Sequence, residues 1–363
     1  MKRVLLLLLI LLVAAIGVFK ILKYKINKDL SQPVHAPAKI APPTPSPISQ
    51  KTTSSLSLFV PYWGLTDALI ESGKYNQIIY FGVAPDSGSI NLTQQDQSQL
   101  DNFNEIAPSS SQKLLALRMT NNQDNFAILK DLSLQQKIIQ ETIEIAQKNN
   151  MQGIVLDLEI QAIPFDSLVK QINSFDNAFY TTVKKNNLTF SLALYGDAQY
   201  RARPFEVKTL AKNADNIMLM AYDFSKAKGN PGPNFPLSGS ERFGYDYTNL
   251  TDDYLKFITP DKVTVTFGLF GYDWLVDDKG NATQQAQAMT LLQIKQKFID
   301  QCAFSKCEWK RDKESAETTI NYIDNDGKKH IVWLEDMESI KQKQKFLKTK
   351  GINSFSYWAY SYF

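Results

Sequence analysis

Histidine is nearly missing from this 363-residue chain, which holds two. His35 sits in a proline-rich stretch and His330 alone falls where a folded domain is expected. That argues against a Ser-His-Asp triad or a multi-histidine metal site. Cysteine is equally scarce: Cys302 and Cys307 stand in the hexapeptide CAFSKC, a spacing that closes a small loop in an oxidising compartment or leaves two inert thiols. A surplus of one charge is also lacking. The formal net charge is +3, but residues 1–30 carry six bases and one acid, leaving 34 bases against 36 acids. No basic face of the kind that grips nucleic acid is expected. The glycine-containing stretch GNPGPN (229–234) lacks the lysine of a phosphate loop and reads instead as a site loop. No metal or cofactor is expected.

What is present begins with an apolar run from Val4 to Leu22, broken only by Lys20 and followed by Lys23, Lys25 and Lys28. As a helix it is about 28 Å long, close to the hydrocarbon thickness of a bilayer. No small-x-small cleavage site follows it, so residues 1–28 are expected to be an uncleaved single-pass anchor, with secretion after cleavage as the alternative. Residues 29–55 form a linker: six of the fifteen prolines fall between 31 and 55, among Ser and Thr, and such a composition builds no packed core. In polyproline geometry it spans roughly 75 Å, enough to hold a domain clear of a membrane. The remainder is expected outside the cytoplasm, as a monomer, a setting that favours the disulfide reading of Cys302 and Cys307.

From residue 56 onward, eight strand-like runs alternate with amphipathic stretches: 56–63, 76–84, 113–120, 153–160, 188–196, 216–224, 262–274 and 353–360. The stretches 133–150 and 167–187 repeat apolar residues at three and four positions, the helical period. Eight strands with intervening helices predict a (β/α)8 TIM barrel over residues 56–363. The interval 275–350 is too long for one helix. It holds a helix-like stretch at 289–302 and a hairpin turning at Asn325, Asp326 and Gly327, which together predict a small α+β insertion between the seventh and eighth strands. Residues 339–351 then read as the last barrel helix, stopped at Gly351.

The chemistry centres on Gly153–Ile160, GIVLDLEI. Side chains alternate along a strand, so Val155, Asp157 and Glu159 share one face while Ile154, Leu156, Leu158 and Ile160 share the other. Buried carboxylates without partners are costly, and two of them two positions apart on core material call for a compensating use. In a barrel, inward side chains at strand C-termini line the active-site mouth. The sixth strand sends Met218, Met220 and Tyr222 to one face and the eighth sends Ser354, Ser356 and Trp358. Acids above an aromatic floor suit sugar chemistry. Glycosidases usually set two carboxyls about 5 to 9.5 Å apart across the scissile bond, whereas these two emerge from one strand about 6.6 Å apart. They therefore approach from one side, as a general acid and an assistant, and the nucleophile is expected from the acetamido group of an N-acetyl sugar.

GIVLDLEI resembles the fourth-strand signature of glycoside hydrolase family 18, Asp-Gly-x-Asp-x-Asp-x-Glu. The resemblance makes Asp157 the last aspartate and Glu159 the general acid and base. MAYDF is similar to the family's sixth-strand Met-x-Tyr-Asp, giving Met220, Tyr222 and Asp223, and Trp358 falls at its eighth-strand tryptophan. FGLFGYDW (267–274), HIVWLEDMESI (330–340), GINSFSYW (351–358) and NPGPNF resemble the branch containing spore-cortex and cell-wall N-acetylglucosaminidases. On this likeness Glu159 protonates the glycosidic oxygen, Asp157 orients the acetamido N–H, Tyr222 donates to the acetamido oxygen, and Met220, Asp223, Tyr272 and Trp358 bind substrate. The implied substrate is a polysaccharide with N-acetylglucosamine units, peptidoglycan or chitin. Two departures stand out: Gln152 and Val155 replace the first two aspartates of the signature, so the relay beneath Asp157 ends one position early.

Two other readings compete. Asp157 and Glu159 can serve as structural ion-pair partners, with Arg118 of the third strand available to them. A barrel that keeps the sugar cleft without turnover, a lectin-like module, draws its support from Val155. Tyr62, Trp63, Tyr272 and Trp274 at strand ends either stack on sugars or cap the core.

Overall fold

The computed structural model describes residues 54–363. The expected anchor, residues 1–28, and nearly all of the linker lie outside the described residues. Among the described residues no helix is long and apolar enough to cross a membrane.

Eight parallel strands close a barrel: β1 (Ser55–Pro61), β2 (Gln77–Val83), β3 (Gln112–Met119), β4 (Gly153–Leu158), β5 (Thr189–Tyr195), β6 (Asn216–Met220), β7 (Val263–Gly268) and β13 (Ser354–Trp358), the last pairing with both β1 and β7. Strand β4 is buried on both faces, which is why it reads as a near-continuous apolar run. Its outward residues Ile154, Leu156, Leu158 and Ile160 join the large core beneath the helices, while Val155 joins a smaller interior cluster with Phe59, Ile79, Phe81, Leu114 and Met218. Gly153 opens the strand where a Cβ would come within 2.0 Å of Thr189 Oγ1 and 2.9 Å of Leu114, a close approach that only glycine accepts.

The helices expected at 133–150, 167–187 and 339–351 are present, with others before and between them. The helices of eight residues or more are α1 (Gln94–Ile106), α2 (Asn122–Lys130), α3 (Leu132–Lys148), α4 (Asp166–Lys185), α5 (Tyr247–Tyr254) and α6 (Met337–Thr349). In α4, Leu168, Ile172, Phe175, Phe179 and Val183 form the buried stripe. Asp131 caps α3 by accepting from the Ser133 and Leu134 N–H groups, and Asp336 with Ser339 forms a capping box on α6. That helix gives way to Gly351 at φ +84°, the left-handed stop that glycine adopts without cost.

The insertion is larger than its sequence suggests and starts earlier. Residues 262–274 read as one strand, but the chain breaks at Leu269, whose N–H donates to the Trp358 carbonyl at 2.7 Å. A second strand, β8 (Phe270–Val276), leaves the barrel for an antiparallel sheet with β9 (Gln287–Thr290), β10 (Ser305–Arg311), β11 (Thr318–Ile323) and β12 (Lys329–Leu334), in the order β10-β11-β12-β8-β9. The expected hairpin is β11–β12. The helix-like stretch at 289–302 is only partly helical: it begins in β9, and helical turns occupy Leu291–Ile299. Cys302 and Cys307 are bonded to each other at the entry to β10. His330 lies in this sheet, its Nδ1 2.9 Å from Asp273 Oδ1, away from the barrel mouth.

Candidate active site

The C-terminal ends of the barrel strands surround a cavity of about 230 Å³. Asp157 and Glu159 both line it, as the alternation of β4 requires, and Glu159 stays in line because its N–H donates to the Met119 carbonyl of β3 at 2.9 Å. Met220, Tyr222, Asp223 and Trp358 line it as well. Trp358 stacks on Tyr222 with ring centroids 6.3 Å apart and meets Phe81 edge-on at 4.7 Å. Trp63, half-exposed, adds a second indole 6.1 Å from Trp358, giving the apolar flank that pyranose faces stack on. Tyr272 stands beside the cavity, in a recess shared with Asp223, Phe270 and Trp358, and its hydroxyl donates to Asp223 Oδ1 at 2.6 Å. Trp274 is fully buried in the insertion, so of the two readings offered for the strand-end aromatics it takes the core one.

Asp157 is 4% exposed and its Oδ1 has no hydrogen-bond partner. Burial, reinforced by the charge of Glu159 and opposed by that of Arg118, lifts its carboxyl well above the usual carboxylate range. The aspartate that the signature sets beneath it is Val155, fully buried among apolar side chains, so Asp157 has no acidic neighbour below. Arg118 does not pair with either acid: it makes no salt bridge and no hydrogen bond among the described residues, and its guanidinium lies 5.1 Å from the Tyr62 ring centre. The structural ion pair is therefore not formed. Burial, then the charges of Asp157 and Glu159, hold the Tyr222 phenol well above its ordinary range, and it remains a proton donor.

Other contributors lie outside the candidate residues read from the sequence. Tyr195, at the end of β5, donates its hydroxyl to Glu159 Oε2 at 2.8 Å. Its position was open to inference, since Ser191, Ala193 and Tyr195 alternate onto the inward face. Asn234, in NPGPNF, accepts from the Asp223 N–H at 2.7 Å and donates to the Gly268 carbonyl at 2.9 Å. Asp223 needs that hold because its φ is +56°, a left-handed backbone that costs a non-glycine residue energy. Asn234 is in turn fixed by Glu317, which accepts its N–H and that of Phe235. Glu317 and Glu335 share the fully buried Lys343 of α6, so the insertion, the loop after β6 and the last helix lock together behind the cavity. Among the described residues no three His, Cys, Asp or Glu side chains gather as a metal site.

Comparisons with known proteins agree with this geometry. The profile of the glycosyl hydrolases family 18 matches residues 50–362. The cortical fragment-lytic enzyme of Bacillus anthracis is 25% identical over 241 residues, covering 64% of this chain and 51% of that protein. The chain thus spans about half the length of the first curated relatives it matches. The Bacillus cereus spore cortex-lytic enzyme SleL superposes with a TM-score of 0.68 at 20% identity, over 85% of this chain and 71% of that one. A variant of the class V chitinase from Nicotiana tobaccum in complex with NAG4 gives a TM-score of 0.74 at 14% identity, over 85% and 94%. The structural likenesses establish the barrel fold, and the profile, spanning it from end to end, establishes that the chain belongs to the glycosyl hydrolases of family 18.

Proposed function

We propose that the chain cleaves a β-linked polysaccharide containing N-acetylglucosamine, by substrate-assisted catalysis with retention. One observation carries the reading: Asp157 and Glu159 enter a single cavity from the end of a single strand, Glu159 one residue past it. The other lining acid, Asp223, is committed to Tyr272 through its carboxylate and to Asn234 through its N–H. With Asp223 held in this way and no further carboxylate lining the cavity among the described residues, the attacking oxygen comes from the sugar's own acetamido group. Glu159 gives its proton to the glycosidic oxygen as the bond to the anomeric carbon breaks. The acetamido oxygen closes an oxazolinium ring, held by the Tyr222 hydroxyl, while the unpartnered Oδ1 of Asp157 accepts the acetamido N–H. Water then opens the ring and yields its proton to Glu159. The names of the relatives, a cortical fragment-lytic enzyme and a chitinase bound to NAG4, support both peptidoglycan and chitin as substrate classes. Incubating the full chain with chitin oligomers and with purified peptidoglycan, and reading the products by mass spectrometry, tests the proposal. New reducing ends from at least one polymer are expected, and none from either would refute it.

Val155 favours a second reading, a carbohydrate-binding barrel without turnover. It predicts binding of the same oligomers with no release of reducing ends. The apolar run of residues 4–22 supports tethering to a membrane with the barrel outside the cytoplasm. Recovery of the intact chain in the soluble fraction of cells would contradict the tether.

A further inference from the structure

Arg118 is the unusual charge of this cavity. Five arginines lie among the described residues, and four of them hold a carboxylate: Arg201 and Arg203 share Asp197, Arg242 holds Asp312, and Arg311 holds Asp336. Arg118 holds none. It sits on β3 in register with Asp157 of β4, and Leu114, Ala116 and Arg118 alternate onto the interior, so its head lines the cavity. Its Nε is buried with no hydrogen-bond partner. The rings of Tyr62 and Phe81, 5.1 and 5.6 Å from the guanidinium carbon, offset part of the cost of burying the charge. They leave the N–H donors unused. Asp157, the acid in register with it, feels its charge without bonding to it, Glu159 takes the Tyr195 hydroxyl, and the next acid of the family signature is replaced by Val155. Compared with the signature, the interior below Asp157 thus carries one negative charge fewer, while Arg118 stands without a bonded partner.

We infer that Arg118 recognises a carboxylate carried by the bound glycan, so that the cavity selects an anionic amino-sugar chain over a neutral one. The inference deepens the proposed substrate class and rests on the same cavity taking the sugar. A guanidinium fork matches a carboxylate with two parallel hydrogen bonds, stronger than those between neutral groups, whereas neutral chitin offers hydroxyls and amides alone. Two sources share this chemistry: a lactyl ether acid on the sugar, as in N-acetylmuramic acid, and the free carboxylates of a peptide attached to it.

The test is a fluorescence titration of the full chain carrying Glu159→Gln, which keeps the ligand intact. The probes are N-acetylglucosaminyl-N-acetylmuramic acid, its methyl ester, and peptide-bearing disaccharides with free or amidated carboxylates. A free acid is expected to bind about tenfold more tightly than its neutral counterpart. Adding Arg118→Gln should bring the ratio of the two to about one, while Arg118→Lys, which keeps the charge and loses the fork, should retain part of it. The pair of probes that shows the preference identifies the source. Equal binding of every acid and its neutral counterpart, binding of none, or a preference that survives Arg118→Gln would overturn the inference. Hydrolysis of neutral chitin oligomers by the unsubstituted chain is scored separately. Turnover without a carboxylate preference refutes this inference alone, and an Arg118-dependent preference without turnover on any polymer refutes the catalytic proposal alone.

Discussion

The hydroxyl of Tyr195 is 2.8 Å from Glu159 Oε2 and donates to it, joining the end of β5 to the residue just past β4. Burial and then the charge of Glu159 hold the Tyr195 phenol well above its ordinary range, so it remains a donor. Glu159 Oε1 makes no hydrogen bond among the described residues, which leaves that oxygen to meet a substrate. A hydrogen bond to a charged group contributes about 1.5–3 kcal/mol. Tyr195→Phe is expected to lower kcat by about 10- to 100-fold with a smaller change in KM, measured on an oligomer the chain cleaves. An unchanged kcat would show that Glu159 is positioned without it.

Asn234→Ala removes both the acceptor for the Asp223 N–H and the donor to the Gly268 carbonyl. With the left-handed Asp223 no longer held, its carboxylate and the adjoining Tyr222 lose their fixed placement. The expected result is a loss of about 1–3 kcal/mol in denaturant unfolding together with a fall in kcat. A fall in stability alone would separate this hydrogen-bond pair from the site.

Lys343 is fully buried between Glu317 and Glu335. Burial pushes the Glu335 carboxyl above the usual carboxylate range, against the pull of Lys343. Lys343→Met leaves two carboxyls without their cation, and breaking a buried pair in this way costs about 3–5 kcal/mol. Adding Glu335→Gln should recover part of that loss, measured by urea unfolding of the single and double variants.

Asp176 of α4 is buried, and neither of its oxygens has a hydrogen bond of normal geometry. Burial pushes its carboxyl up to about 8, with Asn213 pulling weakly the other way. The unfolded carboxyl ionises near 3.8 while the native one keeps its proton, so the unfolded state gains first and stability falls as pH rises between those values. Below both values the group contributes nothing. At about 1.4 kcal/mol per pH unit the accumulated loss is on the order of 5 kcal/mol by pH 8. Asp176→Asn is expected to flatten this slope, its advantage over the unsubstituted chain widening from pH 4 to pH 8. Parallel stability curves for the two proteins would contradict it.

What the sequence disclosed was whatever local periodicity encodes. Asp157, Glu159 and Val155 fall on one face because β4 alternates, and the helices 132–148 and 166–185 appear because their apolar residues recur at helical spacing. The break at Leu269 was hidden, since FGLFGYDW is apolar and aromatic on both sides of it and only its long-range bond to Trp358 marks the exit from the barrel. Lys343 stood unmarked among the lysines of the last barrel helix, because its partners come from distant turns of the insertion. The segment of Asn234 was legible as a site loop, but not the residue's own role, which depends on Asp223, Gly268 and Glu317 that folding brings together. Arg118 was visible as a charge facing the two acids, but its lack of a partner was not.

In the proposed mechanism Glu159 is the group that gives and takes the proton. The most direct measurement is the rate at which the full chain releases reducing ends from an N-acetylglucosamine oligomer, compared with its Glu159→Gln variant at matched fold content by circular dichroism. Removing a general acid–base group costs about 10²- to 10⁴-fold, and a loss in that range with unaltered folding is predicted. Equal turnover by the two proteins would contradict the account.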